Sequence, residues 1–109
     1  MTRPEHDPLH LRTGRRQQAV LRAREACEAL SALGVSARVT GSLAAGSFGP
    51  HSDVDFLIVD CPRHLKYAIE GLIEDCLRGL SFDVIYMDEI PRHKLDRFVE
   101  GAVDARHLR

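Results

Sequence analysis

Residues 41–60 read GSLAAGSFGPHSDVDFLIVD, and the way this stretch divides settles what the rest of the chain has to be. Its second half, Asp53 to Val59, is a short apolar run opened by two acids. Strand side chains alternate between faces, so Val54, Phe56 and Ile58 share one side while Asp53 and Asp55 project together on the other. Two like charges held this close repel, and burying either without a partner is expensive. A cation between them resolves the conflict. The first half, residues 41–52, is a Gly/Ser-rich loop with a short helical turn expected from Leu43. Glycine lets a backbone approach a phosphate closely. A serine hydroxyl and backbone amides at the start of a helix can hold its oxygens. Gly41 and Ser42 are placed for that task, and the metal would sit between them and the Asp53/Asp55 strand.

Working outward, Val35 to Thr40 alternates apolar and polar and predicts a short strand on the N-terminal side of the loop. Before it, Val20, Ala23, Cys27 and Leu30 recur at steps of three and four, which predicts a helix over residues 15–33 that ends at Gly34. Residues 1–14, punctuated by Pro4, Pro8 and Gly14, read as a flexible arm, which leaves residues 15–109 as the single domain. On the other side, Pro62 ends the central strand. Leu65, Ile69, Leu72, Ile73, Cys76 and Leu77 form an apolar stripe on a second helix, from about His64 to Leu77. FDVIYM, residues 82–87, predicts a third strand, and Leu95, Phe98, Val99 and Val103 a C-terminal helix after Pro91. Helices alternating with short strands need a sheet to pack on, so the expected fold is α/β (α+β), a small mixed sheet with helices mainly on one face.

Asp83 repeats the anomaly of Asp53 and Asp55, an acid inside an apolar strand. If that strand neighbours residues 53–59, three carboxylates converge. Hard oxygen ligands in that number suit Mg²⁺ or Mn²⁺, which accept phosphate oxygens as further ligands. Two such ions about 3.5–4 Å apart can activate a hydroxyl and stabilise a leaving oxygen.

At 109 residues the chain is one domain. Its 15 basic and 16 acidic residues nearly cancel, which argues against stable DNA binding or a polybasic membrane binder. No apolar run reaches the ~18 residues of a membrane span, and the polar start lacks a secretory signal, so the expected location is cytoplasmic. Cys27, Cys61 and Cys76 are odd in number and never at CxxC spacing, so neither a disulfide framework nor a zinc knuckle is expected.

Gly41-Ser42, ten residues, then Asp53-Val54-Asp55, with Asp83 downstream, resembles the GS-x10-D-x-D signature and third carboxylate of the DNA polymerase β-like nucleotidyltransferases. The stretch SDVDFLIVD, residues 52–60, and the small size are similar to the minimal nucleotidyltransferases (MNT proteins). The likeness spans roughly Val35 to Pro91. It implies a polymerase β-like core in which Gly41 and Ser42 hold the nucleotide phosphates and Asp53 and Asp55 bind the metals. Asp83, the third acid of the metal site, helps activate the attacking hydroxyl. Many minimal members resemble antitoxins that transfer AMP from ATP onto a tyrosine of a HEPN-type toxin encoded beside them. The resemblance therefore implies a protein adenylyltransferase that needs Mg²⁺ and ATP and can form a hetero-oligomer with its toxin. One departure is Ala45, where many members carry arginine.

Two other readings stand beside this one. The same fold can neutralise a partner by occlusion without chemistry, or the nucleotide can go to a small molecule or an RNA end. Among lesser candidates, His51 lies in the loop, Arg63, His64 and Lys66 open the second helix, and Tyr67 and Tyr86 are the only tyrosines. Solvent exposure is the simpler reading for the first four, and core packing for Tyr86. Arg3, Arg12, Arg15 and Arg16 make the N-terminal region basic, and a disordered tail is their simpler reading.

Overall fold

The computed structural model describes residues 8–109. Of the expected arm, residues 1–7 lie outside the described residues. From Pro8 the chain is already helical, and α1 runs Pro8–Ala32 rather than opening at Arg15. The first turn of a helix is where proline is tolerated, because its missing N–H would be unpaired there in any case. Pro8 therefore starts the helix instead of delaying it.

After α1 come β1 (Ser36–Thr40), α2 (Gly41–Ala45) and β2 (Val54–Asp60). A 3₁₀ turn at Arg63–Leu65 leads into α3 (Lys66–Leu77), followed by β3 (Phe82–Tyr86) and α4 (Arg92–Gly101). The three strands form one mixed sheet in the order β1-β2-β3, with β1 antiparallel and β3 parallel to β2. A parallel neighbour requires a crossover, and α3 supplies it.

One face of the sheet is sealed. Val54, Phe56 and Ile58 of β2 and Val39 of β1 are buried against Ala19, Ala23, Ala26 and Leu30 of α1 and Ile69, Ile73 and Leu77 of α3. The alternation within β2 is therefore realised, and the small residues of α1 let it lie close to α3 and β1. Cys27 and Cys76 are half-buried beside this core. Burial, with Asp104 adding to it, pushes the Cys27 thiol up to about 12, which makes it a packing group and not a nucleophile.

The opposite face carries Thr40, Asp55, Leu57 and Asp83. α4 comes round to it, close enough that a Cβ on Gly101 would lie 3.6 Å from Thr40 Oγ1. α4 is shorter than its periodicity predicts. Val103 leaves the helix and pairs with Val39 through two backbone hydrogen bonds of 2.9 and 2.8 Å, which covers the outer edge of β1. No helix among the described residues is long and apolar enough to cross a membrane.

Candidate active site

The site is built where β1 ends. Thr40 is extended and Gly41 turns at once into the left-handed region, with φ +70°. A side chain at Gly41 would be strained by that conformation, and its Cβ would collide with the Asp55 carboxylate, the carboxyl carbon lying 3.1 Å away. The backbone of Gly41 thus lies directly against Asp55. α2 then buries Leu43 in the core, and Gly46 turns the chain out of it.

The segment from Ser47 to Ser52 is tied down although it is rich in Gly and Ser. Phe48 is buried in the core. Ser52 Oγ accepts from the Gly49 amide at 2.9 Å, and the Ser52 amide donates back to the Gly49 carbonyl at 3.2 Å. Arg15, back on α1 with two elements between, donates from Nη2 to the Ser52 carbonyl at 3.1 Å and sits 5.5 Å from the centre of the Phe48 ring. The loop that delivers Asp53 is therefore held from the helix as well as from within. Sequence reasoning grouped Arg15 with a solvated tail, because nothing local marks a partner 37 residues away.

The register of the sheet sets the carboxylates. Thr40 pairs with Asp55 across the antiparallel ladder, and Asp55 pairs with Asp83 across the parallel one. Residues abreast on neighbouring strands share a face at a strand spacing of about 4.7–4.9 Å. Thr40, Asp55 and Asp83 consequently form one row across the end of the sheet, with Asp53 just before β2. Asp53 and Asp83 are exposed and Asp55 is half-buried. Burial raises the Asp55 carboxyl above its ordinary range, and the charges of Asp83 and then Asp53 raise it further. The three acids thus share one electrostatic environment.

That environment fits a divalent cation. Uncompensated carboxylate repulsion at Asp55 is relieved by positive charge, and the donors are hard oxygens. Among the described residues no three His, Cys, Asp or Glu side chains close into a ready-made cage. Mg²⁺ seldom uses an all-protein cage; it is commonly held by one or two carboxylates together with water and substrate phosphate. Ser42, half-buried, is the second residue of α2, whose first turn has no side-chain cap.

Other sequence candidates are placed elsewhere. His51, Arg63, His64 and Tyr67 are exposed. Lys66 is engaged with the end of β3: Nζ lies 3.3 Å from Asp88 and 3.7 Å from Glu89, and 4.7 Å from the centre of the Tyr86 ring. The Tyr86 hydroxyl donates to the Lys66 carbonyl at 3.2 Å, so this tyrosine braces α3 against β3.

The fold has a solved counterpart. A structure described as a candidate minimal nucleotidyltransferase superposes with a TM-score of 0.57 at 26% identity, over 79% of this chain and 93% of that one. No curated protein matches the chain. The family described as nucleotidyltransferase domain matches residues 20–106, which takes in all three strands, the Gly41–Ser42 turn and all three acids. The chain belongs to the nucleotidyltransferase domain family.

Proposed function

We propose that this domain transfers AMP from ATP to a tyrosine hydroxyl of a HEPN-type toxin and so acts as its antitoxin. The observation that carries the reading is the row Thr40–Asp55–Asp83 with the Gly41 backbone set against Asp55. With no side chain at Gly41, the Asp55 carboxylate packs against the backbone at the point where β1 turns into α2, and Ser42 follows at an uncapped helix start. A phosphate held there lies next to Asp55. The acceptor then approaches from the Asp83 side.

Asp53 and Asp55 would hold Mg²⁺ or Mn²⁺, which when bound neutralises phosphate charge and lowers the cost of the leaving oxygen. The chain's own residues do the rest. Gly41 and Ser42 orient the nucleotide. Asp83, exposed at the far end of the row, takes the proton of the attacking hydroxyl. The acceptor oxygen bonds to the α-phosphorus, the bond from that phosphorus to the bridging oxygen breaks, and pyrophosphate leaves with the electron pair. The likeness to a structure described as a candidate minimal nucleotidyltransferase, which this chain covers over 93% of that chain's length, supports the nucleotidyl-transfer reading.

The experiment is incubation of the protein with labelled ATP, Mg²⁺ and a HEPN-type toxin encoded beside it, read by intact-mass spectrometry. An AMP adduct on a toxin tyrosine that disappears in Asp53→Asn and Asp55→Asn is the expected result. Transfer undiminished in those variants overturns the assignment. Neutralisation of the toxin without an adduct indicates occlusion, and adducts only on small molecules or RNA ends move the acceptor.

A further inference from the structure

A cleft of about 360 Å³ opens on the carboxylate-bearing face, lined by Thr40, Lys94, Arg97 and Phe98. Thr40 is the β1 end of the row that runs through Asp55 to Asp83, so the cleft adjoins the row on the side away from Asp83. We infer that it receives the polyphosphate tail of the nucleotide, with Lys94 and Arg97 as positioning residues. The inference rests on the nucleotidyl-transfer reading and adds to it where the leaving group lies.

Three observations carry it. First, α4 segregates its charge. Lys94, Arg97, Phe98 and Gly101 fall on one helical face, and Gly101 is the residue that meets Thr40. Asp96 and Glu100 fall off that face, so the surface turned to the site is cationic although the helix as a whole is mixed. No carboxylate among the described residues forms an ion pair with Lys94 or Arg97. Second, residues 41–52 contain no lysine or arginine. Arg15, the cation that reaches this loop, is spent on the Ser52 carbonyl and the Phe48 ring. A triphosphate laid on Gly41 and Ser42 would meet backbone amides and a hydroxyl but no fixed positive charge from that side, and α4 provides it. Third, three of the four lining residues, Thr40, Lys94 and Arg97, carry hydrogen-bond donors, which suits phosphate oxygens.

The geometry is also that of an in-line displacement, in which nucleophile and leaving group occupy opposite sides of the phosphorus. Asp83 flanks one end of the row and the Lys94/Arg97 cleft the other. Pyrophosphate gains charge as the bond breaks, and guanidinium and ammonium groups waiting there favour that charge.

Calorimetry with inorganic tripolyphosphate, ATP and AMP in Mg²⁺ tests this without an acceptor. Lys94→Gln/Arg97→Gln is expected to weaken tripolyphosphate and ATP by at least about tenfold and AMP by less than about twofold. Arg92→Gln, which removes one charge from α4 outside the cleft, is expected to leave all three within about twofold. In steady-state transfer the double variant should raise KM for ATP more than it lowers kcat, and Lys94→Arg/Arg97→Lys should recover most of the affinity. Unchanged ATP and tripolyphosphate affinity in the double variant overturns the inference and leaves the nucleotidyltransferase reading intact. An equal loss for ATP and AMP overturns it too, because the cations then do not select the tail. Wild-type protein that binds neither ATP nor tripolyphosphate removes the nucleotide reading itself, and this inference with it.

Discussion

Two faces of one strand divide the labour of this protein. On β2, Val54, Phe56 and Ile58 are sealed beneath α1 and α3, while Asp55, one residue over from each neighbour, is half-exposed and carries a carboxyl under strain from two others. The sealed face is a close-packed interior in which each methylene counts toward stability. The other face buries Leu57 and Thr40 but sets Asp55 among charges that repel it. A strand with period two lets seven residues do both jobs, since what one face loses in stability the other offsets a few ångströms away. Shifting the register by one residue would exchange the two sets and destroy both.

Substitutions on the two faces should therefore separate cleanly. Phe56→Ala removes the largest fully buried side chain among the described residues and is expected to cost about 3–5 kcal/mol, seen as a large fall in the urea midpoint. For a domain of this size that is a large share of total stability. Asp55→Asn should do the reverse. Transfer activity is expected to fall by at least about a hundredfold, while the melting temperature in metal-free buffer stays level or rises. The sign follows from the raised carboxyl. The folded state holds that proton more tightly than the unfolded chain does, so the ionised form near neutral pH opposes folding, and a neutral amide removes the opposition. A fall in stability comparable to that of Phe56→Ala would show that Asp55 belongs to the fold and not to the site.

Much of this division can be read from the chain alone, and the reason is its period. DVDFLIV announces that Val54, Phe56 and Ile58 go in together and that Asp55 lies on the other face, and FDVIYM repeats the pattern, so a sheet with one sealed face follows from alternation, whereas the burial of Leu57 on the acid's own face does not. The adjacency of Asp83 to Asp55 depends on strand order, which α3 between them made the natural choice through its crossover. What alternation does not encode is contact between distant elements. Arg15 reads as one basic residue among several, and its partner Ser52 lies in a loop with no period. Lys94 and Arg97 read as part of a polar C-terminal helix, and only the packing of Gly101 on Thr40 turns them toward the row. The start of α1 was obscured because proline breaks a helix in its interior and is tolerated at its first turn.

Between the extremes stands the junction where the two faces meet. Gly41→Ala forces a side chain into the left-handed region, which costs about 1–2 kcal/mol, and pushes it into Asp55. Stability should drop by about that amount and transfer by much more, because the carboxylate must move. Activity that falls only in step with the folded fraction would show that the close approach of Gly41 to Asp55 has no part in the chemistry.

The smallest effect should come from Arg15→Ala, and it sharpens the comparison most. Arg15 belongs to α1, the helix that seals the closed face, yet its guanidinium reaches the loop that delivers Asp53 on the open one. Removing it deletes one hydrogen bond to a carbonyl and one cation–π contact, together worth about 1–2 kcal/mol. Phe48 remains in the core and the Gly49–Ser52 hydrogen bonds remain in place, so the loop should loosen without leaving. Faster amide hydrogen exchange confined to residues 49–53, with β2 and β3 unchanged, is the expected signature, accompanied by a modest loss of transfer. Uniformly faster exchange through β2 would mean that Arg15 stabilises the sheet as a whole, and that the two faces are less independent than the alternation of β2 makes them look.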